Sequence, residues 1–272
     1  MIALSKPYQL AIKAAVDASF VLMEYYTKGF HQENKSDGSP VTDADKASSD
    51  LIHRQLAKTN IPIIGEEIKN DSFEIRKHWK ENWCVDPLDG TKEFIKKNGE
   101  FAVNIAHIVN NVPIFGIIVA PVAKEIIIGG LSMGVFQSTF DCDGTIKGWN
   151  EIKSKNEINP PLILIASRSF HTPCVDQYVE KLELDYGKVL FHQKGSALKF
   201  FDLANETAHI YIRFAPTMEW DIAAGQAILE ALGGEICAHD TNLPLTYNKE
   251  SLENPHFLAK TASFLKFESL NR

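Results

Sequence analysis

The chain has 272 residues, of which 44% are hydrophobic and 23% are charged; this composition excludes a disordered protein and favours a globular one with a large core. The formal net charge is -7, with lysines scattered among the acids, which argues against a polymeric nucleic acid partner but is compatible with a small anionic substrate at a metal site. The four cysteines form no C-x-x-C pair, which disfavours a zinc site and a disulfide framework and indicates a reducing, cytoplasmic setting.

The first part of the chain predicts two amphipathic helices. Apolar residues recur at helical spacing over 10–22 and again over 47–56,. The turn sequence at 37–40, Asp-Gly-Ser-Pro, precedes the second helix, and so Asp43 and Asp45 are expected in or near its first turn. The N-terminus lacks the pattern of a signal peptide, and no apolar run approaches the roughly 18 residues of a spanning helix, so we expect no integral membrane segment.

Beyond residue 60, apolar runs alternate with turn residues, as is typical of strands. A run at 61–64 and a polar, helix-like stretch around 73–79 precede the run 83–85, which stops abruptly at an Asp-Pro pair. Residues 101–131 are rich in β-branched residues and predict a β-meander. The second half predicts strands at 162–166, 188–192, 209–214 and 234–237, and helices at 173–184, 198–205 and 222–232. We therefore expect layers of α and β structure in two tightly packed subdomains.

The most specific motif is the segment 86–91, Asp-Pro-Leu-Asp-Gly-Thr. It places two carboxylates three residues apart around a Pro/Gly turn, directly after a hydrophobic strand. Carboxylate oxygens, backbone carbonyls and water are the ligands that Mg²⁺ prefers, so Asp86, Asp89 and the Leu88 carbonyl can converge on one ion. The alternative is a turn whose aspartates cap a following helix, since Asp is common at such positions.

Two further acids lie at the ends of predicted buried elements. Glu66 follows an apolar strand, and Asp221 precedes a helix of small and apolar residues. Taken singly, Glu66 is better explained as part of a solvated acidic loop, whereas Asp221 is equally well explained as a helix N-cap or as a metal ligand. Together with Asp86 and Asp89, they favour a shared cation.

Three segments, 65–67 (Gly-Glu-Glu), 86–91 and 220–225 (Trp-Asp-Ile-Ala-Ala-Gly), resemble the signatures of the inositol monophosphatase superfamily of lithium-sensitive, magnesium-dependent phosphatases, in the same order and at similar separations. The resemblance covers nearly the whole chain. It implies a layered α/β fold, the αβαβα sandwich, with an N-terminal α+β subdomain over residues 1–150 and a C-terminal α/β subdomain over residues 151–272.

The continuation at 92–101, Lys-Glu-Phe-Ile-Lys-Lys-Asn-Gly-Glu-Phe, is more similar to the 3'(2'),5'-bisphosphate nucleotidases of the bacterial CysQ type than to the inositol phosphatases. The resemblance then implies hydrolysis of adenosine 3',5'-bisphosphate to AMP and phosphate by a metal-activated water. It also implies a role in sulfate assimilation and inhibition by lithium. The alternatives are an inositol or sugar-phosphate phosphatase and a non-catalytic nucleotide sensor on the same fold. A monomer and a homodimer are both compatible with the sequence.

The resemblance also implies roles for individual residues. Two or three Mg²⁺ ions would be held by Glu66, Asp86, the Leu88 carbonyl, Asp89 and Asp221. The catalytic residues would be Asp45, Thr91 and Glu66, with Thr91 and Asp45 positioning and deprotonating the attacking water. Asp43 is an alternative to Asp45, although it is better explained as a charge at a helix N-terminus.

The substrate contacts implied in the same way are Gly90, Thr91, Ser167, Ser196, Lys199 and Asp221. The backbone N–H groups of Gly90 and Thr91 lie where a helix is predicted to begin and can bind phosphate oxygens. The family pattern Ser/Thr-Arg-Ser-His is altered here, because His171 comes one position late, which favours a surface histidine. Arg213 is compatible with either a second phosphate or a structural ion pair, and Glu100 is expected to be exposed.

Overall fold

The computed structural model describes residues 4–155, 157–158, 160–168 and 173–271. Within these ranges the helices are α1 (Lys6–Lys28), α2 (Asp43–Leu56), α3 (Phe73–Arg76), α4 (Thr91–Ile95), α5 (Pro173–Tyr186), α6 (Lys199–Ala204), α7 (Glu219–Ala231) and α8 (Ala262–Leu270). The strands up to residue 152 are β1 (Gln32–Asn34), β2 (Pro40–Thr42), β3 (Ile63–Gly65), β4 (Glu81–Asp89), β5 (Ala102–Val109), β6 (Val112–Ala120), β7 (Glu125–Gly130), β8 (Gly134–Thr139) and β9 (Asn150–Ile152). The later strands are β10 (Leu162–Ser167), β11 (Val189–Lys194), β12 (Ile210–Arg213), β13 (Thr217–Met218), β14 (Glu235–Ala238), β15 (Glu253–Asn254) and β16 (Phe257–Lys260).

Strands β3 to β9 form a seven-stranded sheet in sequence order, antiparallel except for the parallel pair β3 and β4. Successive side chains of a strand point to opposite faces. Trp83 and Val85 accordingly pack in one core with α1 and α2, whereas Cys84 lies in a second core with residues of α6 and α7. The next residue in this alternation on the Cys84 side is Asp86, so the strand itself directs that carboxylate towards α7.

A second sheet has the order β11-β10-β12-β16-β14, in which β10 is parallel to both of its neighbours. One face of this sheet shares the core that contains α6 and α7, as residues Ile165, Tyr211 and Ile236 show. The other face is covered by residues of α5 and α8, such as Leu182 and Phe264. The layers therefore run α1/α2, large sheet, α6/α7, small sheet and α5/α8, which confirms the predicted αβαβα sandwich.

The central helix α7 packs closely against the large sheet and against α6 at two glycines. A Cβ atom on Gly116 of β6 would lie 2.1 Å from the carbonyl oxygen of Ala224 in α7. A Cβ atom on Gly225 of α7 would lie 2.2 Å from the ring of Phe200 in α6. Since neither position has room for a side chain, Gly116 sets the distance of α7 from the large sheet and Gly225 sets its distance from α6. Together the two contacts fix the place of the first turn of α7.

The predicted β-meander over 101–131 is confirmed as β5, β6 and β7, and the four strands predicted in the second half are present within two residues of their expected ends. Strands β8, β9 and β16 and the last helix, α8, were not predicted. The large sheet ends at β9 and the small sheet begins at β10, but the two sheets share the core around α7; the division at 150 and 151 therefore stays a prediction. Among the described residues, the helices are all too short or too polar to cross a bilayer.

Candidate active site

Asp45 is held in the first turn of α2 by a capping box. Its Oδ2 atom accepts hydrogen bonds from the Thr42 backbone N–H at 2.7 Å and the Thr42 hydroxyl at 2.6 Å,. Its Oδ1 atom accepts a hydrogen bond from the Thr91 hydroxyl at 3.0 Å. Burial raises the pKa of Asp45 against these hydrogen bonds, which lower it, so the carboxylate is a stronger base than an exposed one. Asp43 instead accepts the His31 N–H at 3.3 Å, ahead of β1.

The irregular end of β4 directs the side chains of Asp86 and Asp89 to one place. The pairing of β4 with β5 shifts register between these two residues, and such bulges commonly redirect side chains. Asp86 is 1% exposed, and its Oδ1 atom accepts the Leu88 N–H at 3.0 Å. Ser48 of α2 donates its hydroxyl to the Pro87 carbonyl at 2.8 Å. This segment is therefore held in place by a hydrogen bond within it and by another from the neighbouring helix α2.

Helix α4 begins at Thr91, as the sequence predicted, with Gly90 as its N-cap. Gly90 has a φ of +93°, a left-handed conformation that glycine adopts without strain,. A Cβ atom here would also lie 3.0 Å from the Glu100 carbonyl oxygen. The Thr91 hydroxyl lies 3.3 Å from the Leu88 carbonyl oxygen, which brings the predicted backbone ligand next to the predicted catalytic hydroxyl.

Asp221 lies inside α7, not ahead of it. The helix begins at Glu219, its N-cap is Met218, and Asp221 is the third helical residue. Its Oδ2 atom accepts the Met218 N–H at 2.8 Å, so it caps the helix from within the first turn. The expectation that Asp221 precedes the helix is therefore wrong, and so is the alternative of Asp221 as its N-cap. The hydrophobic pattern becomes continuous only after Asp221, whereas the helix starts earlier because Glu219 and Trp220 are buried by tertiary contacts.

Asp86, Asp89 and Asp221 converge in space. One carboxylate oxygen from each lies within 4.8 Å of the other two. Burial raises the pKa of all three carboxyls, and repulsion among the acids adds to it for Asp86 and Asp221, bringing the pKa of Asp221 to about 8. Asn104, opposite Asp86 on β5, donates its side-chain N–H to Asp89 at 3.1 Å. Three oxygen ligands of this kind, one buried and two half-buried, fit a hard divalent cation such as Mg²⁺, whose charge would relieve their repulsion,.

Glu66 follows β3 directly, as predicted, but it lies outside the group of three. Its Oε1 atom accepts a hydrogen bond from the Lys35 ammonium at 2.7 Å, and the same ammonium lies 2.6 Å from Oε1 of Glu67. Burial lowers the pKa of Lys35, but the two carboxylates outweigh it and raise the pKa above its usual value. Lys35 was not predicted. Its signal in the sequence is weak, because it merely precedes a turn.

A cavity of about 260 Å³ opens beside the acids. Its walls include the predicted residues Glu66, Asp89, Gly90, Thr91, Ser167, Ser196, Lys199 and Asp221, together with Arg213. The structure thus brings both predicted groups, metal ligands and substrate contacts, around one space. Asp45 and Asp86 are both buried next to this wall.

The sequence model of the inositol monophosphatase family matches residues 3–266. The chain belongs to this family.

Its relatives in the inositol monophosphatase family include 3'(2'),5'-bisphosphate nucleotidases named CysQ. The chain is 40% identical over 256 residues to the CysQ of Shigella flexneri and 39% identical over 255 residues to that of Escherichia coli (strain K12), covering 89% of this chain and 95% of each relative. The crystal structure of CysQ from Bacteroides thetaiotaomicron is 36% identical and superimposes with a TM-score of 0.83 over 93% of this chain and 96% of that one. The IMPase of Thermotoga maritima, 17% identical, shares the fold with a TM-score of 0.73 over 97% of this chain and 95% of its own.

Two cationic side chains are buried in the wall of the cavity. Lys199 is 3% exposed and Arg213 is 8% exposed. Burial lowers the pKa of Lys199 to about 8 against the attraction of Asp89, which raises it. The Lys199 ammonium lies 4.9 Å from the centre of the Tyr211 ring, and Arg213 donates to the Pro216 carbonyl at 3.0 Å. The Lys199 ammonium also donates to the carbonyl oxygens of Lys194, at 3.2 Å, and of Ser196. Two positive charges in one wall of the cavity attract an anionic group.

The structure tests the prediction for Glu100 but not the one for His171. The expectation that Glu100 is exposed is wrong, because its side chain is 22% exposed and forms a salt bridge with Arg168 at 2.6 Å. This pair was not predicted, because its partners are 68 residues apart in the chain. His171 lies outside the described residues, so its place in the fold stays a prediction.

Proposed function

We propose that the protein is a Mg²⁺-dependent 3'(2'),5'-bisphosphate nucleotidase that hydrolyses adenosine 3',5'-bisphosphate to AMP and phosphate. One arrangement carries this proposal: the acids Asp89 and Asp221 and the buried cations Lys199 and Arg213 line the same cavity. A substrate with two phosphates can place one at the cation-binding acids and the other at the cationic wall. The names of the CysQ relatives support the same substrate class.

The metal would be held by the carboxylates of Asp86, Asp89 and Asp221, with the Leu88 carbonyl and Glu66 as the further ligands that the family resemblance implies. When bound, the ions supply positive charge to the phosphate and activate water. The proposed number, two or three, can be measured by calorimetric titration of the metal-free protein with Mg²⁺.

Thr91 and Asp45 would handle the proton. The Thr91 hydroxyl donates its hydrogen to Asp45 at 3.0 Å, and so its oxygen lone pairs can accept a hydrogen bond from the attacking water,. As the water oxygen attacks the phosphorus, the bond between phosphorus and the ribose oxygen breaks, and the leaving ribose oxygen takes a proton from solvent water. The proton of the attacking water passes to Thr91 while the Thr91 proton passes to Asp45. The raised pKa of Asp45, caused chiefly by burial, favours this transfer.

The backbone N–H groups of Gly90 and Thr91 would orient the reacting phosphate, while Lys199 would bind the second one. Ser167 and Ser196 also line the cavity and would contact the nucleoside. An inositol monophosphate has no second phosphate and therefore cannot form the contact proposed for Lys199. Its binding should therefore be weaker than that of the nucleotide.

The deciding experiment compares phosphate release from adenosine 3',5'-bisphosphate and from inositol 1-phosphate, each with Mg²⁺ and with or without millimolar lithium. We expect a higher kcat/KM for the nucleotide and inhibition by lithium, which can occupy a carboxylate-lined site without supplying the missing charge. A preference for inositol 1-phosphate would overturn the substrate proposal. If phosphate is released from neither substrate, the result would favour a non-catalytic nucleotide sensor.

We further propose that the protein acts in the cytoplasm as a monomer or homodimer. The oligomeric state can be measured by light scattering coupled to gel filtration, and a mass larger than that of a dimer would contradict it.

A further inference from the structure

Glu100 connects the two halves of the molecule at the rim of the cavity. It follows α4 in the chain, yet its carboxylate accepts two hydrogen bonds from the Arg168 guanidinium beyond β10, at 2.8 Å to Nε and 2.6 Å to Nη2. Its Oε2 atom also accepts the Gly195 backbone N–H at 2.8 Å. Arg168 donates in addition to the Gln193 carbonyl at 3.2 Å. Both carboxylate oxygens of Glu100 are therefore fixed in position.

The Gly195 N–H belongs to a short turn, residues 195–197, that forms part of the cavity wall through Ser196 and Ala197. Ser196 has a φ of +49°, a left-handed conformation that is costly for a residue with a side chain,. The Ala197 N–H donates to the Asp89 carboxylate at 2.5 Å. The 195–197 turn is thus held at one end by Glu100 and at the other by a proposed metal ligand.

The turn lies directly against the backbone that carries Glu100. A Cβ atom on Gly195 would lie 2.8 Å from the Glu100 carbonyl oxygen and 2.9 Å from its Cβ atom. Gly90 approaches the same region, since its Cβ atom would lie 3.0 Å from the Glu100 carbonyl oxygen and 3.2 Å from the Cβ atom of Ser196. The start of α4 and the 195–197 turn therefore meet at Glu100, and a shift of its carboxylate would move Ser196 relative to Gly90.

We propose that Glu100, oriented by Arg168, is a positioning residue that holds the 195–197 turn so that Ser196 meets the nucleoside part of the substrate. The substrate's identity rests on the proposed function. Arg168 is 46% exposed in its side chain, and an ion pair this close to solvent adds little to stability. Its two parallel hydrogen bonds instead give directional control over the carboxylate. Glu100 therefore affects substrate binding more than folding or the chemical step.

The test measures KM and kcat for adenosine 3',5'-bisphosphate at saturating Mg²⁺. We expect Glu100→Ala to raise KM about ten-fold, the effect of one charge-assisted hydrogen bond, with kcat changed less than about two-fold. Glu100→Gln keeps an oxygen for the Gly195 N–H and should raise KM by about three-fold only. The double variant Glu100→Ala/Arg168→Ala should equal Glu100→Ala, because Arg168 acts through Glu100. Glu24→Ala removes an exposed i,i+4 pair with Lys28 on α1 and is the matched control.

A KM within two-fold of wild type in Glu100→Ala, or a fall in Tm alone, would overturn the proposal and leave a structural ion pair. A wild-type protein without nucleotidase activity would contradict the proposed function instead. In that case hydrogen exchange still decides whether Glu100 positions the turn. The Gly195 amide should exchange at least about ten-fold faster in Glu100→Ala than in Glu24→Ala, since its acceptor is lost, and an unchanged rate would refute the positioning role.

Discussion

Replacing Asp86 by Asn tests whether the three converging carboxylates form a cation site. The asparagine side chain has nearly the same shape and keeps an oxygen to accept the Leu88 N–H. It removes one negative charge from the group of Asp86, Asp89 and Asp221. The substitution should therefore change the electrostatics of the site with little change in packing, and its effect should have opposite signs without and with metal.

The expected magnitude follows from the separation of the oxygens. Two unit charges 4.8 Å apart repel by about 3.5 kcal/mol at an effective dielectric constant of about 20. Asp86 has two such neighbours, but protonation relieves much of the repulsion, since burial first and the neighbouring acids second raise the pKa of both Asp86 and Asp221. We expect Asp86→Asn to raise the free energy of unfolding of the metal-free protein by about 1–3 kcal/mol.

With magnesium bound, the wild type should gain more stability than Asp86→Asn. An ion present at 100 times its dissociation constant stabilises the wild type by about 2.7 kcal/mol, whereas the variant lacks a ligand and gains less. Phosphate release by Asp86→Asn should fall by at least about a hundred-fold, the upper range for groups that merely support a ligand. The assay is urea unfolding in EDTA and in Mg²⁺, with turnover measured on the same samples.

Asp50→Asn, at an exposed position of α2, is the matched control and should leave both stability and turnover within the usual range for surface changes, about 0.5 kcal/mol. Unchanged turnover in Asp86→Asn would refute the cation site. A variant that is less stable than wild type in EDTA would refute the argument from repulsion.

Three further predictions concern the proton path, pH dependence and packing. Thr91→Val removes the hydrogen bond to Asp45 and should lower kcat by about 10²–10⁴-fold at unchanged Tm, whereas Thr91→Ser should retain most activity; equal kcat values in the two variants would exclude the relay,. Burial, with a smaller effect from a nearby lysine, lowers the pKa of His209 from 6.5 to about 4, so neutral His209 stabilises the fold above pH 6.5 and this stabilisation is lost as the pH falls towards 4. His209→Asn, which keeps an acceptor for the backbone N–H that His209 binds, should abolish about 1 kcal/mol of the decrease in unfolding free energy between pH 7 and 5.5, and identical urea midpoints at the two pH values in wild type would contradict this. Gly116→Ala places a Cβ atom 2.1 Å from the Ala224 carbonyl oxygen and should lower the unfolding free energy by about 3 kcal/mol or more, so a fall below 1 kcal/mol would show that α7 can move outward.

The local signals of the sequence located the acids well. Asp45 was expected in the first turn of a helix and is the third residue of α2. Asp86 was expected at the end of a buried strand, and the alternation of β4 does direct it towards α7. Such predictions succeed because strand alternation, turn residues and helix caps depend on neighbours within a few positions.

Contacts between distant segments were missed because they do not depend on residues within a few positions. Lys35 binds Glu66 across 31 positions, and Glu100 accepts the Gly195 N–H across 95 positions. Neither pair leaves a periodic or motif-like trace, because a lysine after a strand or a glutamate after a helix is common on any surface. The start of α7 was misplaced for a related reason, since buried tertiary contacts and not local propensity extend the helix back to Glu219.

By itself, the sequence determined the layered α/β class and the set of acids offered at the ends of its elements, since both follow from hydrophobic periodicity and from short motifs. The tertiary structure decided the rest. The close approach of α7 to β6 at Gly116 brings the oxygens of Asp221 to within 4.8 Å of those of Asp86 and Asp89. The packing of the small sheet places Lys199 and Arg213 across the same cavity. Chemistry at a site depends on distances between side chains, and those distances are set by the packing of layers far apart in the chain.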